Sequence, residues 1–155
     1  VKIPFTLNGN RVTVKASSVM KLVDLLSREF GLESLKSGCR SGECGACLIL
    51  VEGELMNACL IPAFRVRNKK VQTYEGLVKD KLFSDIVQVF AGANILPWDF
   101  LGPSLMISSY ALLSRMEKPG EREIREALEG TSCHWSGYPS LVAAIAKLPH
   151  PRKGR

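Results

Sequence analysis

Gly38-Cys39-Arg40-Ser41-Gly42-Glu43-Cys44-Gly45-Ala46-Cys47 is the stretch from which the rest of this chain is best read. With Cys59 downstream, the cysteines form a C-x4-C-x2-C…C array, the spacing with which four thiolates hold a [2Fe–2S] cluster of the plant type. Iron in such a cluster needs soft, negatively charged ligands, and a thiolate is both. Cys39, Cys44 and Cys47 lie so close in sequence that the backbone must curl around a metal centre. Gly38, Gly42 and Gly45 suit that curl, because glycine tolerates positive φ and lets the main chain come close. Their amides, with donors from Arg40 and Ser41, are expected to face the sulfur atoms and help set the potential. Leu48–Val51, Glu52-Gly53-Glu54 and Leu55–Leu60 read as a hairpin that returns the fourth thiolate, Cys59, to the loop.

Two other uses of the cysteines fit the sequence less well. Zinc sites favour repeated short pairs such as C-x2-C, and only one such pair exists here. Two disulfides would leave a fifth cysteine over, and the opening Val1-Lys2-Ile3-Pro4-Phe5 reads as a strand rather than a secretory signal. Metal ligation by Cys39, Cys44, Cys47 and Cys59 is therefore the expectation, with cytoplasmic residence following from reduced thiols.

At 155 residues, with 46% apolar and 23% charged residues, the chain suits one ordinary core or two small ones. No apolar run is long enough for a membrane span. The net charge of +6 includes a basic run at Arg65, Arg67, Lys69 and Lys70 and a basic tail at Arg152, Lys153 and Arg155. Nucleic-acid binding is not expected, since no reader fold and little aromatic interleaving accompany these clusters. A solvated edge, or docking to an acidic protein surface, explains them better.

The first half reads as strands. Ile3, Phe5 and Leu7 alternate with polar neighbours, Asn8-Gly9 signals a hairpin, and Val12 and Val14 resume the alternation. Ser17 or Ser18 is expected to cap a helix that runs to Phe30 with Val19, Leu22, Val23, Leu25 and Leu26 on its apolar side, and Gly31 ends it. Short strands are expected near Ala63–Val66 and Val71–Tyr74. The second half is helical in pattern, with candidates at Lys81–Ala91, Gly102–Met116, Gly120–Leu128 and Ser140–Leu148. The fold class expected is α+β: a β-grasp ferredoxin-like domain over residues 1–75, a small four-helix bundle over 76–148, and a basic tail over 149–155.

These residues together resemble the small iron–sulfur subunit of the molybdenum hydroxylases, the family of xanthine dehydrogenase and aerobic carbon monoxide dehydrogenase. The resemblance rests on the G-C-R-x-G-x-C-G-x-C loop at 38–47, on Cys59, and on Tyr74-Glu75-Gly76-Leu77, which is similar to the family's T-x-E-G-L linker. Glu123-Ile124-Arg125-Glu126-Ala127-Leu128-Glu129-Gly130 resembles its E-I-R-E-A-L-x-G helix, and Ser136-Gly137-Tyr138 its T-G-Y turn. The resemblance implies an electron-transfer subunit with no substrate pocket of its own. It also implies a large molybdenum–pterin subunit and a medium flavin (FAD) subunit as partners.

The chain departs from the family where a second cluster is expected. Pro97-Trp98-Asp99-Phe100-Leu101-Gly102-Pro103 stands for Q-C-G-F-C-T-P, and Cys133-His134-Trp135-Ser136-Gly137-Tyr138 for C-R-C-T-G-Y. No cysteine occurs between Cys59 and Cys133, so one cluster rather than two is expected. Trp98, Leu101 and Trp135 then read as core residues filling the vacated space, and Cys133 and His134 as a buried thiol beside a surface imidazole. His150 lies between prolines in the tail. Two other functions stay open on the sequence: an assembly protein with a structural cluster, and a free-standing ferredoxin, which the basic charge disfavours.

Overall fold

A computed structural model describes residues 1–131 and 138–148. Strands β1 (Lys2–Leu7) and β2 (Asn10–Lys15) pair antiparallel through the two-residue turn Asn8-Gly9, both at positive φ. That backbone matches the twist of the flanking strands. Helix α1 (Leu22–Phe30) follows, then the cysteine loop, then the hairpin β3 (Leu48–Val51) and β4 (Glu54–Asn57), and then β5 (Lys70–Gln72). The sheet order is β2-β1-β5-β3-β4, with β5 parallel to β1 and antiparallel to β3. Four apolar residues of α1, Leu22, Val23, Leu25 and Leu26, bury against Ile3, Phe5, Ile49 and Val71 of the sheet.

Several elements differ from the sequence expectation: the strand expected over Val71–Tyr74 ends at Gln72, Tyr74–Leu77 forms a helical turn, and two more have a clear physical reason. Helix α1 begins at Leu22 with no side-chain cap, and Val19 is exposed rather than on the apolar face. Backbone carbonyls replace the expected serine cap: Leu22 N donates to Ile61 O at 2.8 Å and Val23 N to Ala58 O at 3.2 Å. Ala63–Val66, expected as a strand, is a 3-10 turn. The amide of Ala63 is taken by Met20 O at 2.8 Å and that of Arg65 by Pro62 O at 3.0 Å.

The second half contains a single turn α2 (Tyr74–Leu77) and helices α3 (Lys81–Gly92), α4 (Gly102–Arg115), α5 (Glu121–Leu128) and α6 (Tyr138–Ala146). Asp80 caps α3 by accepting from Phe83 N at 3.2 Å, and Pro103 stands in the first turn of α4 where its missing amide costs nothing. Helix α4 is the hub. It packs against α3, α5 and the face of β3 turned away from α1, and residues Gly102 through Ser109 are all buried. Strand β3 is thus covered on both faces, with Ile49 and Val51 in the first core and Leu50 in the second. No described helix is long and apolar enough to cross a membrane.

A half-buried polar network ties the linker to the first half of the chain. Asn8 Oδ1 accepts from Thr73 N at 2.8 Å and Asn8 Nδ2 donates to Thr73 Oγ1 at 2.9 Å. Thr73 Oγ1 donates to Glu75 Oε2 at 2.6 Å, and Glu75 accepts from both the amide (3.0 Å) and the hydroxyl (2.9 Å) of Ser34. Asn8 presses so closely on Gly76 that a Cβ there would overlap its side chain. The Glu75-Gly76 pair in the linker is therefore fixed by contact on both sides.

Trp98 is a correction. It is 72% exposed and so fills no core. The connection before α4 folds on itself, with Asp99 N donating to Leu96 O at 3.0 Å and Leu96 N to Asp99 Oδ2 at 2.6 Å. Ile95 and Leu101 anchor the two ends of this turn inward, which leaves Trp98 between them facing out. Leu101 does pack against the second core, as expected. Trp135, Cys133, His134, His150 and the tail lie outside the described residues.

Trp98→Ala should change stability by less than about 0.5 kcal/mol, as an exposed site does. Asn8→Ala removes two half-buried hydrogen bonds and a residue suited to positive φ, so it should cost ~1–3 kcal/mol. Urea unfolding of both variants, side by side, checks the pair.

Candidate metal centre

Four thiols gather where the loop meets the β3–β4 hairpin. Cys39 is exposed, Cys44 half-buried, and Cys47 and Cys59 are buried, all free. The hairpin register, with Leu48 opposite Asn57, brings Ala58 N to Cys47 O at 3.0 Å and Cys59 N to Cys47 Sγ at 3.4 Å. The carbonyls of Ala58 and Ile61 that receive the α1 amides flank Cys59, so the helix start holds the fourth thiol in place.

Backbone amides converge on the sulfurs. Cys39 Sγ accepts from Ser41 N at 3.4 Å and Cys44 N at 3.3 Å, and Cys44 Sγ accepts from Ala46 N at 3.4 Å. Such donors stabilise negative charge on sulfur, which is what a thiolate-ligated cluster asks of its surroundings. The thiols differ in acidity accordingly. Cys39 is held down to about 6, first by the hydrogen bond from Ser41 and then by the Cys44 amide. Cys47 is pushed up to about 11, first by burial. A bound metal ion reverses the second effect, since its charge deprotonates a coordinating thiol outright.

The glycines act in two ways. Gly42 and Gly45 adopt φ of +82° and +72°, so they make the curl. A Cβ at Gly42 would meet Leu60 Cδ1 at 2.5 Å, and one at Gly45 would overlap Gly130 O of the helical half. Gly38 makes room instead: a Cβ there would stand 2.8 Å from the Phe100 ring and 3.0 Å from Cys44 Sγ. Leu60, Phe100 and the Gly130–Thr131 backbone thus cover the loop from three sides. Nothing in the sequence marked Phe100 or Leu60 for this, because both contacts form only when distant segments pack.

Arg40 behaves differently from expectation. Its guanidinium reaches Asp24 in α1 and Ser37 at the loop start, and donates to these oxygens rather than to sulfur. Ser41 contributes through its amide and, with the larger effect on the Cys39 thiol, through its side chain. Among the described residues no three His, Cys, Asp or Glu side chains converge as ligands of one ion. A diiron cluster shares its four thiolates between two irons, so the donor set with its amide donors suits that group.

Comparison with known proteins agrees with this geometry. The family model described as "2Fe-2S iron-sulfur cluster binding domain" matches residues 5–74, and that described as "[2Fe-2S] binding domain" matches residues 73–146. The xanthine dehydrogenase iron-sulfur-binding subunit of Escherichia coli O157:H7 is 36% identical over 94% of this chain and 92% of its own length. The nicotinate dehydrogenase small FeS subunit of Eubacterium barkeri is 32% identical, with 94% and 92% covered. Among solved structures, quinoline 2-oxidoreductase from Pseudomonas putida 86 superposes with a TM-score of 0.85 at 28% identity, covering 95% of this chain and 91% of that one. With both family models matched and relatives more than 30% identical over nearly their whole length, the chain belongs to the small iron–sulfur subunit family of the xanthine dehydrogenase-type molybdenum hydroxylases.

Proposed function

We propose that this chain is the electron-transfer subunit of a multisubunit hydroxylase-type oxidoreductase, with one [2Fe–2S] cluster held by Cys39, Cys44, Cys47 and Cys59. The observation that carries the reading is the set of backbone amides donating to the sulfurs of Cys39, Cys44 and Cys47 beside the Cys59 thiol. When bound, the cluster supplies one-electron uptake and release. The protein's own part is electrostatic and steric. Ser41, Cys44, Ala46 and Cys59 point amides at sulfur, Gly42 and Gly45 let the loop curl, and Gly38 admits Phe100 over Cys44.

The match over residues 73–146 contains Cys133 as its single cysteine, and one thiolate cannot hold a second cluster. The helical half then acts as a docking platform. Trp98 and Phe100, 72% and 51% exposed, form its apolar contact with a larger subunit. A molybdenum–pterin centre and FAD would reside in the large and medium partner subunits, in a cytoplasmic complex that keeps these thiols reduced. Residues 1–75 form the cluster domain, 76–148 the docking domain and 149–155 a basic tail. The lost second ligand set also suits a subunit whose cluster is purely structural, and reduction separates the two readings.

Anaerobically reconstituted protein should contain about two iron and two sulfide per chain and take up about one electron, giving a single paramagnetic species. A centre that resists reduction at every accessible potential would favour the structural reading. Trp98→Glu should weaken co-purification with the larger subunits by roughly tenfold without loss of the iron–sulfur spectrum. Unchanged recovery of the complex would remove Trp98 from the interface.

A further inference from the structure

Arg40 holds a conformation that its own backbone disfavours. Its φ is +60°, in the left-handed region where a residue with a Cβ sits at a cost unless its surroundings over-determine it. The surroundings here are specific. Nη1 donates to Asp24 Oδ1 at 2.9 Å, Nη2 to Asp24 Oδ2 at 2.5 Å, and Nη1 also to Ser37 Oγ at 2.8 Å. This is the two-pronged arginine–carboxylate geometry, which fixes direction as well as distance. Asp24 lies in the first turn of α1, and its side chain is only 19% exposed, so the anchor point is rigid and half-sheltered. The guanidinium beside it holds the Asp24 carboxyl below the usual carboxylate range, with Arg28 one turn along adding a smaller pull.

The position of this pair gives it a consequence. Arg40 is flanked by Cys39, the most exposed thiol, and by Ser41, whose amide donates to that thiol. The next donor to the same sulfur, Cys44 N, lies just beyond the Gly42 curl. Fixing the Arg40 side chain to α1 and to Ser37 therefore fixes the plane from which both amides aim at Cys39 Sγ.

We propose that Asp24 and Arg40 form a latch, a positioning pair that holds the cluster loop against α1 so that the Ser41 and Cys44 amides stay on the Cys39 sulfur. Both side chains direct their hydrogen bonds to each other and to Ser37 rather than to a cysteine sulfur. Both act through the loop, and the pair rests on the reading of the four cysteines as cluster ligands. Outer partners of this kind commonly alter metal retention by ten- to a hundredfold.

The test uses the full chain, reconstituted anaerobically, with iron release to a strong chelator and the midpoint potential as readouts. Asp24→Asn and Arg40→Gln should each speed iron release by about tenfold. The double variant should be no worse than either single one, because both remove the same interaction. Both single variants should move the potential in the same, more negative direction, since each takes amide donors off sulfur. Arg40→Gly should retain iron better than Arg40→Gln, as glycine suits φ of +60° without a latch. Thermal melting of each apo-protein should stay near that of the parent. Potentials that move in opposite directions and cancel in the double variant would reveal a bare charge effect and overturn the latch. Parent-like iron release in the single variants would overturn it too, as would an apo-protein melting loss that accounts for the faster release. A parent chain that takes up no iron would instead strike at the cluster reading itself.

Discussion

The first turn of α1 has amides with no partner inside the helix, and the structure satisfies two of them with the carbonyls of Ala58 and Ile61. Much else follows from that exchange. Cys59 lies between those two carbonyls, so the helix start and the fourth thiol cannot move independently. The β3–β4 register then sets Cys59 beside Cys47, with an amide-to-sulfur contact that closes the buried side of the site. A serine cap would have served the helix equally well. It would have left the 58–61 segment without this anchor.

Across the loop the environment changes from solvent to core within a few residues. At the exposed end, hydrogen bonds from Ser41 and Cys44 lower the Cys39 thiol to about 6, whereas burial raises Cys47 to about 11. The exposed thiol is thus ready to ligate near neutral pH, and the buried one needs the metal's own charge to lose its proton. The helical half bears on this gradient directly. Gly130 sits against Gly45, and Phe100 against Gly38, so the outer wall of the site is built by the second domain. The Asn8–Thr73–Glu75–Ser34 network keeps that wall in register with the sheet.

The relatives of this chain share both domains, yet the second carries only Cys133 as a cysteine. Its architecture survives because α4 is held by Leu105, Met106 and Ile107 on the second core. Hydrophobic burial of that helix is independent of any metal. The connection before α4 turns Trp98 outward and lays Phe100 over the thiol loop.

Local chemistry was legible in the chain. Asn8-Gly9 announced its hairpin through positive φ, alternation announced β1 and β2, and C-x4-C-x2-C announced a cluster loop. Helices α3 to α5 followed from their apolar spacing, with ends set by Asp80 and Pro103. The errors share one cause: in each, a long-range contact overrode a local preference. Carbonyls from residues 58 and 61 displaced a serine cap, and the Met20 carbonyl took the Ala63 amide at the start of what became a 3-10 turn. Asp24 drew the Arg40 guanidinium away from sulfur, and inward packing of Ile95 and Leu101 turned Trp98 out. The sequence alone placed four cysteines on one loop and the hairpin after it, and marked most of the segments that coil or extend, because those depend on neighbours a few residues away. What covers those thiols, and where the Arg40 side chain turns, depended on segments 16 to more than 60 residues apart, whose meeting only tertiary packing decides.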